Sequence, residues 1–206
     1  MKEGTILKLS VTLTAICLVA ASALAVSYRL TKPTIDERAR ADKLVALRVV
    51  LPAAAKFSDR KSGPEIDYYE GRDGSGNLVG YAFSGEAKGY SSNISVMVGV
   101  DPEGTITGIK ILDQKETPGL GTQAVDVPAS RTFWQALFGR GEKSPPGRPP
   151  FQEQFAGKTV ARLRVVRGKT DTEIEALTGA TITSRAVTDA VKTSLQSFLK
   201  QQNKNK

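Results

Sequence analysis

The chain has 206 residues but no histidine and a single cysteine, Cys17. Zinc sites of the Cys₂His₂ or Cys₄ type and cysteine-ligated iron–sulfur clusters need several of these ligands, and a Ser-His-Asp triad needs a histidine. One cysteine cannot form an intrachain disulfide. We therefore expect no metal site. Redox or group-transfer chemistry would require an organic cofactor or the remaining carboxylate, amine and hydroxyl side chains.

The net charge excludes fewer functions than the lack of histidine and cysteine does. The 29 Lys and Arg residues outnumber the 21 Asp and Glu residues, which gives a net charge of +8. This charge permits an anionic partner such as a lipid headgroup or a phosphate. The basic residues are scattered, and no aromatic-interleaved basic motif, GxGxxG or P-loop pattern occurs. We therefore expect no nucleic-acid partner and no nucleotide site of those two kinds.

One long apolar run lies near the N-terminus, where residues 9–28 carry no charge. A helix of about 20 residues at 1.5 Å per residue crosses a hydrocarbon core of about 30 Å. The run predicts a tail over residues 1–8 and a transmembrane anchor over 9–28. A cleaved signal peptide is the alternative, because Ala23-Leu24-Ala25 matches a cleavage site. The length of the run and the charges that follow it favour a retained anchor.

The charges around this run leave its orientation open. Two basic residues precede it and six follow within 20 residues. By the positive-inside rule the large domain would stay in the cytoplasm, but long domains often translocate regardless of charge.

Beyond the anchor, the sequence predicts a stalk helix over residues 29–52 and one globular domain over 53–206. A capping box at Thr34–Glu37 follows Pro33 and marks the start of the stalk helix, which should end before Pro52.

The globular domain is predicted to be α+β, with an antiparallel sheet flanked by helices, because short turns join its strands. The predicted strands cover residues 66–69, 78–83, 94–100, 105–112 and 158–166. A short helix over 131–138 and a Pro/Gly-rich loop over 139–150 are predicted between the last two strands. A C-terminal amphipathic helix is predicted from Ser184, with a frayed polar tail after Leu199. Its apolar face consists of Val187, Val191, Leu195 and Phe198.

A segment of small and hydroxyl residues stands before this helix, Thr178-Gly179-Ala180-Thr181-Ile182-Thr183-Ser184. Free N–H groups, a positive helix dipole and the absence of bulky side chains suit such a helix start to a phosphate. The alternative is structural: Thr183 or Ser184 is only the N-cap, and the rest is a tight turn.

A second segment reads Glu116-Thr117-Pro118-Gly119-Leu120-Gly121. The central Pro-Gly pair predicts a type II turn, which can present N–H groups to a ligand. A plain chain reversal after the strand that ends at Leu112 is the alternative.

Together the two segments resemble motifs of the FMN-binding domain family. The family includes the G subunit of the Rnf electron-transport complex and the C subunit of the sodium-pumping NADH:quinone oxidoreductase. Its flavinylation pattern is an acidic residue, two residues, Ser or Thr, Gly, Ala, then Thr or Ser, which matches Glu175 to Thr181. The single span, short stalk and chain length favour the Rnf G subunit. Three departures are Glu175 in place of Asp, Ser91-Ser92 in place of a glycine pair, and the insertion over 139–150.

The resemblance implies a covalent FMN, attached to Thr181 through a phosphoester bond. It places Thr178, Gly179, Ala180, Thr183 and the Glu116 to Gly121 loop near the flavin. The hydroxyl of threonine is a poor nucleophile without an internal base. We therefore expect Thr181 to be modified by another enzyme, which the resemblance identifies as an ApbE-type flavin transferase, and we expect no catalytic residue in this chain.

The resemblance also implies a setting. The protein would be a single-pass subunit of the inner (cytoplasmic) membrane with its FMN domain on the periplasmic or extracytoplasmic side. Its partners would be membrane lipid and other subunits of a complex that couples ferredoxin:NAD electron transfer to ion translocation. Two alternatives stay within flavin chemistry, a quinone-reductase C subunit and a stand-alone extracytoplasmic carrier. A third is a membrane-tethered binding module without flavin.

Overall fold

The computed structural model describes residues 3–126 and 149–204. The chain forms two compact units, Met1–Leu44 and Val45–Lys206. Helix α1 (Glu3–Val50) supplies the described part of the first unit and continues for six residues into the second. From Ser10 onward α1 contains an 18-residue window of mean hydropathy 2.0 with none of it buried. This helix is long and apolar enough to cross a membrane.

The prediction of two successive helices at the N-terminus is wrong, because α1 runs through Pro33 without a break. The capping box at Thr34–Glu37 therefore lies inside a helix. Pro33 cannot donate to the carbonyl of Arg29, so one helical hydrogen bond is lost. Ending the helix there and starting a second one would forfeit several such bonds and require a new nucleation.

The second unit contains a five-stranded antiparallel sheet in the order β1-β2-β3-β4-β5. The strands are β1 (Lys56–Phe57), β2 (Tyr68–Arg72), β3 (Leu78–Lys88), β4 (Asn93–Val100) and β5 (Ile106–Asp113). The predicted hairpins on each side of β3 and β4 are thus confirmed, with β2 starting two residues later and β3 ending five residues later than expected. The α+β fold class is confirmed as well.

Over the described residues, a long helix packs against each face of the sheet. Helix α3 (Thr181–Lys204) packs on the face that carries Phe83 and the alternate residues of β4 from Ile94 to Val100. All four residues of its predicted apolar stripe are buried there, as expected. The opposite face carries Ala82 and Met97, which pack against the last residues of α1, Ala46 to Val50. The site described below lies at the end of the sheet where β3 passes to β4.

The segment before α3 is less regular than predicted. In place of one strand over 158–166, the chain forms a 3₁₀ turn (Val160–Arg162) and a two-residue strand, β6 (Val165–Val166). Strand β6 pairs in parallel with β7 (Ile174–Glu175), which leads into the start of α3. The basic residues Arg162 and Arg164 are exposed, so the segment has no continuous apolar face to bury in the sheet.

One-turn helix α2 (Pro150–Glu153) anchors the loops next to this segment. Gln152 is buried and accepts a hydrogen bond from the amide of Ile111 at 3.4 Å, while its side-chain amide donates to the carbonyl of Ala124 at 2.8 Å. The predicted helix over 131–138 lies outside the described residues. So does the predicted loop over 139–150, apart from its last two prolines.

The C-terminal tail is also more ordered than predicted. Helix α3 continues to Lys204, and Gln201 is 1% exposed. Its side-chain oxygen accepts hydrogen bonds from the amides of Glu65 and Ile66 at 3.1 and 3.0 Å. Gln201 therefore has a buried hydrogen-bonding role, and the helix does not end at Leu199.

Candidate functional site

A pocket of about 460 Å³ lies where three segments of the second unit meet. The three segments are the turn after β3, the loop after β5 and the start of α3. The described residues that line the pocket are Tyr90, Glu116, Thr117, Leu120, Gly121, Gly179, Ala180, Thr181, Ile182 and Thr183. The two sequence motifs, about 60 residues apart in the chain, therefore meet at one site.

Eight of the eleven predicted site residues line this pocket. The other three, Thr178, Pro118 and Gly119, are exposed in the turns beside it. Two lining residues were missed by the site prediction, Tyr90 and Ile182. Tyr90 belongs to a Gly-Tyr pair before β4, and Ile182 lies inside the hydroxyl-rich segment. Their exposure around a pocket becomes visible only in the fold.

Two turns of the same kind form opposite parts of the pocket. In the first, the amide of Leu120 donates to the carbonyl of Thr117 at 3.2 Å, and Gly119 has φ = 75°. In the second, the amide of Ala180 donates to the carbonyl of Leu177 at 3.0 Å, and Gly179 also has φ = 75°. A positive φ at the third position is the mark of a type II turn, so the predicted turn type is confirmed.

The two turns are in contact with one another. A Cβ atom placed on Gly179 would lie 3.0 Å from the Cδ2 atom of Leu120. A side chain at Gly179 would therefore meet both a strained backbone conformation and its neighbour. The glycine of the second motif allows the first motif to approach.

Helix α3 begins at Thr181, three residues before Ser184, where the helix would begin if Thr183 were its N-cap. The hydroxyl of Ser184 donates to the carbonyl of Ala180 at 3.0 Å and accepts from the amide of Leu177 at 2.9 Å, which closes the preceding turn. The hydroxyl of Thr183 donates to Glu116 at 2.5 Å. Neither hydroxyl caps the helix, so the N-cap part of the structural interpretation is wrong, while the tight turn that it also predicted is present at Leu177–Ala180.

The first amides of α3 remain available. The first backbone bond to the helix comes from the amide of Ser184, which donates to the carbonyl of Ala180 at 3.0 Å. Over residues 3–126 and 149–204, the amides of Thr181, Ile182 and Thr183 have no hydrogen-bond acceptor. Unpaired N–H groups at a helix start carry a partial positive charge and favour anions.

Thr181 combines partial exposure with an unengaged hydroxyl. Its side chain is half-buried and lines the pocket. No hydrogen bond joins this hydroxyl to another residue in the part of the chain that the structure describes, whereas the hydroxyls of Thr183, Ser184 and Thr188 are all engaged. Of these four hydroxyls on the first two turns of the helix, only that of Thr181 is free to react.

Glu116 lies at the base of the pocket with 5% of its surface exposed. Its oxygens accept hydrogen bonds from the amides of Tyr90, Ser91 and Ser92 at 3.1, 3.0 and 3.2 Å, in addition to the hydroxyl of Thr183. Burial opposes its ionisation, but these four donors outweigh burial and hold the pKa of Glu116 below its ordinary value. One carboxylate thus joins all three segments of the site.

Two further glycines make room for this carboxylate. A Cβ atom on Gly89 would lie 2.6 Å from the Oε1 atom of Glu116. A Cβ atom on Gly121 would lie 2.6 Å from the Cβ atom of Glu116 and 2.9 Å from the Oγ1 atom of Thr183. Both positions therefore require glycine if the network is to form.

The mouth of the pocket is apolar. Tyr90, Leu120 and Ile182 each expose a large part of their side chain to solvent. Exposed apolar groups around a concavity of this size are typical of sites that bind a flat organic ligand. The site therefore combines an apolar mouth, a helix start with free amides and an unengaged hydroxyl.

Comparisons with known proteins agree with this description. A family model described as FMN-binding domain matches residues 89–196, and one described as RnfG N-terminal region matches residues 1–50. The crystal structure of Shewanella oneidensis NqrC has the same fold, with a TM-score of 0.51 and 23% identity over 74% of this chain and 73% of that chain.

Three curated relatives cover nearly the whole chain. The G subunit of the Na(+)-translocating ferredoxin:NAD(+) oxidoreductase complex of Acetobacterium woodii is 35% identical over 94% of this chain and 91% of its own. The G subunit of the proton-translocating ferredoxin:NAD(+) oxidoreductase complex of Clostridium ljungdahlii is 30% identical over 94% and 92%. The G subunit of the ion-translocating oxidoreductase complex of Methanosarcina acetivorans is 31% identical over 90% of each chain. The chain therefore belongs to the FMN-binding domain family, within the group formed by the G subunits of ion-translocating oxidoreductase complexes.

Proposed function

We propose that this protein is a membrane-anchored electron carrier with covalently bound FMN. It acts as the G subunit of an Rnf-type complex that couples electron transfer between ferredoxin and NAD to ion translocation. One observation carries the proposal: the unengaged hydroxyl of Thr181 lines a pocket between two glycine turns, at a helix start with free amides.

The residues present fit an FMN group. The pocket volume of about 460 Å³ is within the range of small-molecule sites. Thr181 would hold the phosphate by an ester bond, and the amides of residues 181–183 would donate to its oxygens. Tyr90, Leu120 and Ile182 would contact the apolar ring system. When bound, FMN supplies a reversible redox centre, which the side chains of the described lining residues do not supply.

Attachment of the flavin would be a displacement at phosphorus. The hydroxyl oxygen of Thr181 would bond to the phosphorus of the FMN half of a flavin dinucleotide. The pyrophosphate bond of that donor would break, a nucleoside monophosphate would leave, and the hydroxyl proton would pass to a base of the transferase. This pyrophosphate supplies the activated phosphorus, so no oxidant or reductant is consumed.

A separate transferase fits this site because the described lining residues hold no unoccupied base for Thr181. Glu116 is the one carboxylate among the described lining residues, and its oxygens are already occupied by four donors. An ApbE-type flavin transferase would supply the base and the flavin donor. The exposed turn at Thr178 and Gly179 leaves the hydroxyl open to such an enzyme.

We assign residues 9–28 to the membrane and residues 53–206 to a flavin domain on the extracytoplasmic side. There a covalent bond has a clear purpose, since FMN that dissociated could not be replaced from the cytoplasmic pool. Lipid around α1 and the other subunits of the complex are the proposed partners.

The intact mass of the protein purified from its native membrane tests this function. We expect an increase equal to one FMN less one water, loss of the increase in Thr181→Ala and its retention in Thr181→Ser. Other Rnf subunits should co-purify. A wild-type protein without the adduct, from cells that contain the transferase, would favour a binding module without flavin, and co-purifying quinone-reductase subunits would favour that complex.

A further inference from the structure

The charges around the pocket are unusual for a site that is to hold a phosphate. Of the ten described lining residues, Glu116 is the one that carries a formal charge at neutral pH, and none is Lys or Arg. The other titratable side chain among them is Tyr90, which is exposed. The positive charge near Glu116 comes from the amides at the start of α3, which are equivalent to about half an elementary charge.

The carboxylate of Glu116 is fixed beside this helix start. The hydroxyl of Thr183, in the first turn of α3, lies 2.5 Å from its Oε2 atom. Three amides from the turn after β3 hold the same carboxylate from the other side. Burial opposes ionisation, but the four donors favour the charged carboxylate and lower the pKa of Glu116. A negative charge is therefore part of the site at neutral pH.

The two possible forms of the flavin phosphate differ in charge. A free phosphate monoester carries about −1.5 to −2 charges at pH 7, since its second pKa is near 6. A phosphodiester to threonine has lost one ionisable oxygen and carries a single negative charge. The second charge of the monoester would face Glu116 with only the partial charge of the helix start to compensate it.

We infer that Glu116 is a specificity-determining residue, which makes this pocket accept a phosphodiester monoanion and disfavour a free phosphate dianion. FMN is then retained by its ester bond to Thr181 and not by anion binding. The inference rests on the proposed function, because it concerns the same pocket and the same flavin. It explains why the site needs a covalent bond although its helix start could bind an anion.

The size of the effect is estimated from Coulomb's law. One additional negative charge in the same pocket as a carboxylate, at an effective dielectric constant of about 20, lowers affinity by roughly tenfold. The effect should be weaker at high salt, because the pocket is open to solvent.

The test uses full-length Thr181→Ala protein in detergent, which cannot form the ester, and three flavins that differ in charge. They are riboflavin, which is neutral, FMN, and the methyl ester of FMN, which is a phosphodiester. Binding is measured by quenching of flavin fluorescence. Near pH 7.5 we expect the methyl ester to bind roughly tenfold more tightly than FMN. Near pH 5, where FMN is a monoanion, the two affinities should become equal, while riboflavin binding stays constant.

A second pair of variants separates charge from shape. In the Thr181→Ala background, Glu116→Asp keeps the charge and should keep the preference for the methyl ester. Glu116→Gln removes the charge and should bring the affinity ratio of the two ligands close to one, even if both affinities fall because the amide loses acceptor sites.

Three outcomes would overturn the inference. They are equal or tighter binding of FMN near pH 7.5, a ratio that does not change with pH, and failure of all three flavins to bind up to millimolar concentration. These outcomes are separate from failure of the proposed function. Wild-type protein that carries the FMN adduct, combined with equal affinities, would remove this inference and leave the proposed function intact.

Discussion

The two ends of helix α3 use polar residues in opposite ways. At its start, the amides of Thr181 to Thr183 and the hydroxyl of Thr181 are unengaged over the described residues. At its end, Gln201 is buried, and its side-chain oxygen accepts two hydrogen bonds from the chain before β2. The start keeps its donors for a ligand, while the end uses its acceptor to fix the helix. Function and stability should therefore respond separately to substitutions at the two ends.

The largest loss of stability is expected from Phe198→Ala, near the C-terminal end of α3. The ring of Phe198 stacks on that of Phe83, with 4.8 Å between the ring centroids, and its centroid lies 5.0 Å from that of Tyr81. Its loss should lower the free energy of unfolding by about 3 to 5 kcal/mol, through lost burial and a cavity. Urea denaturation followed by circular dichroism measures this. Leu199→Ala, at a half-buried neighbour, is the control, and an equal loss there would show that Phe198 is not special.

A smaller effect is expected from Gln201→Leu. The change keeps side-chain size but leaves the amides of Glu65 and Ile66 without an acceptor, which should cost about 3 kcal/mol. Flavin attachment should be unaffected in protein that is folded. Gln202→Leu is the matched control, one residue further along the helix, and should cost far less. Loss of the flavin adduct in folded Gln201→Leu protein would break the proposed separation of the two ends.

At the functional end, Thr183→Val removes the hydroxyl bonded to Glu116 with little change of shape. A hydrogen bond to a charged group contributes about 2 kcal/mol, so we expect that loss of stability near neutral pH. Thr188→Val is the control, since that buried hydroxyl bonds only to the carbonyl of Ser184 at 2.8 Å. Equal destabilisation by the two variants would argue against a special role for Glu116.

The Thr183→Val variant should also lose less stability in acid than the wild-type protein does. The folded-state pKa of Glu116 lies below the ordinary value of 4.5, so its contribution is fully present above pH 4.5 and is lost as the pH falls through the lowered value. Removing the Thr183 hydroxyl raises the pKa of Glu116 in the folded protein towards 4.5. The stability that is lost on acidification should therefore be smaller in the variant. Denaturation at a series of pH values measures it, and equal acid sensitivity of the wild-type and variant proteins would contradict it.

The smallest effect is expected from Lys204→Ala, at the last residue of α3. Its ammonium lies 3.2 Å from the carboxylate of Glu65, but both side chains are solvent-accessible. Exposed pairs of this kind contribute about 0 to 1 kcal/mol. A larger loss of stability would show that the helix end depends on charge as well as on Gln201.

The comparison also shows how far the sequence can be interpreted. The buried stripe of α3 and the hairpins of the sheet are visible from periodicity, because apolar side chains repeat with the period of the element that buries them. The hydrogen bond between Glu116 and Thr183 cannot be predicted from periodicity, because the two residues are 67 positions apart and only the fold brings them together. Gln201 was mistaken for part of a frayed tail because a buried amide that satisfies backbone donors looks the same in sequence as a solvated one.

Two wrong predictions, the helix boundary at Pro33 and the strand over residues 158–166, have a different origin. Pro33 predicted a helix boundary from local propensity, but continuing one long helix loses less hydrogen bonding than ending it and nucleating another. The segment over 158–166 has the composition of a strand, yet only Val165 and Val166 form one, paired with β7. In the first case the continuity of the helix decides the outcome, and in the second the lack of a continuous apolar face does so.

The most direct test of the central claim is to locate the flavin by fragmentation mass spectrometry of the peptide that contains residues 175–185. Three threonines, Thr178, Thr181 and Thr183, lie within six residues of this peptide. The structure leaves one of them half-buried in the pocket with a free hydroxyl, one exposed in a turn and one bonded to Glu116. We predict that the FMN phosphate is found on Thr181 alone. Its location on Thr178 or Thr183, or its absence from this peptide, would contradict the account.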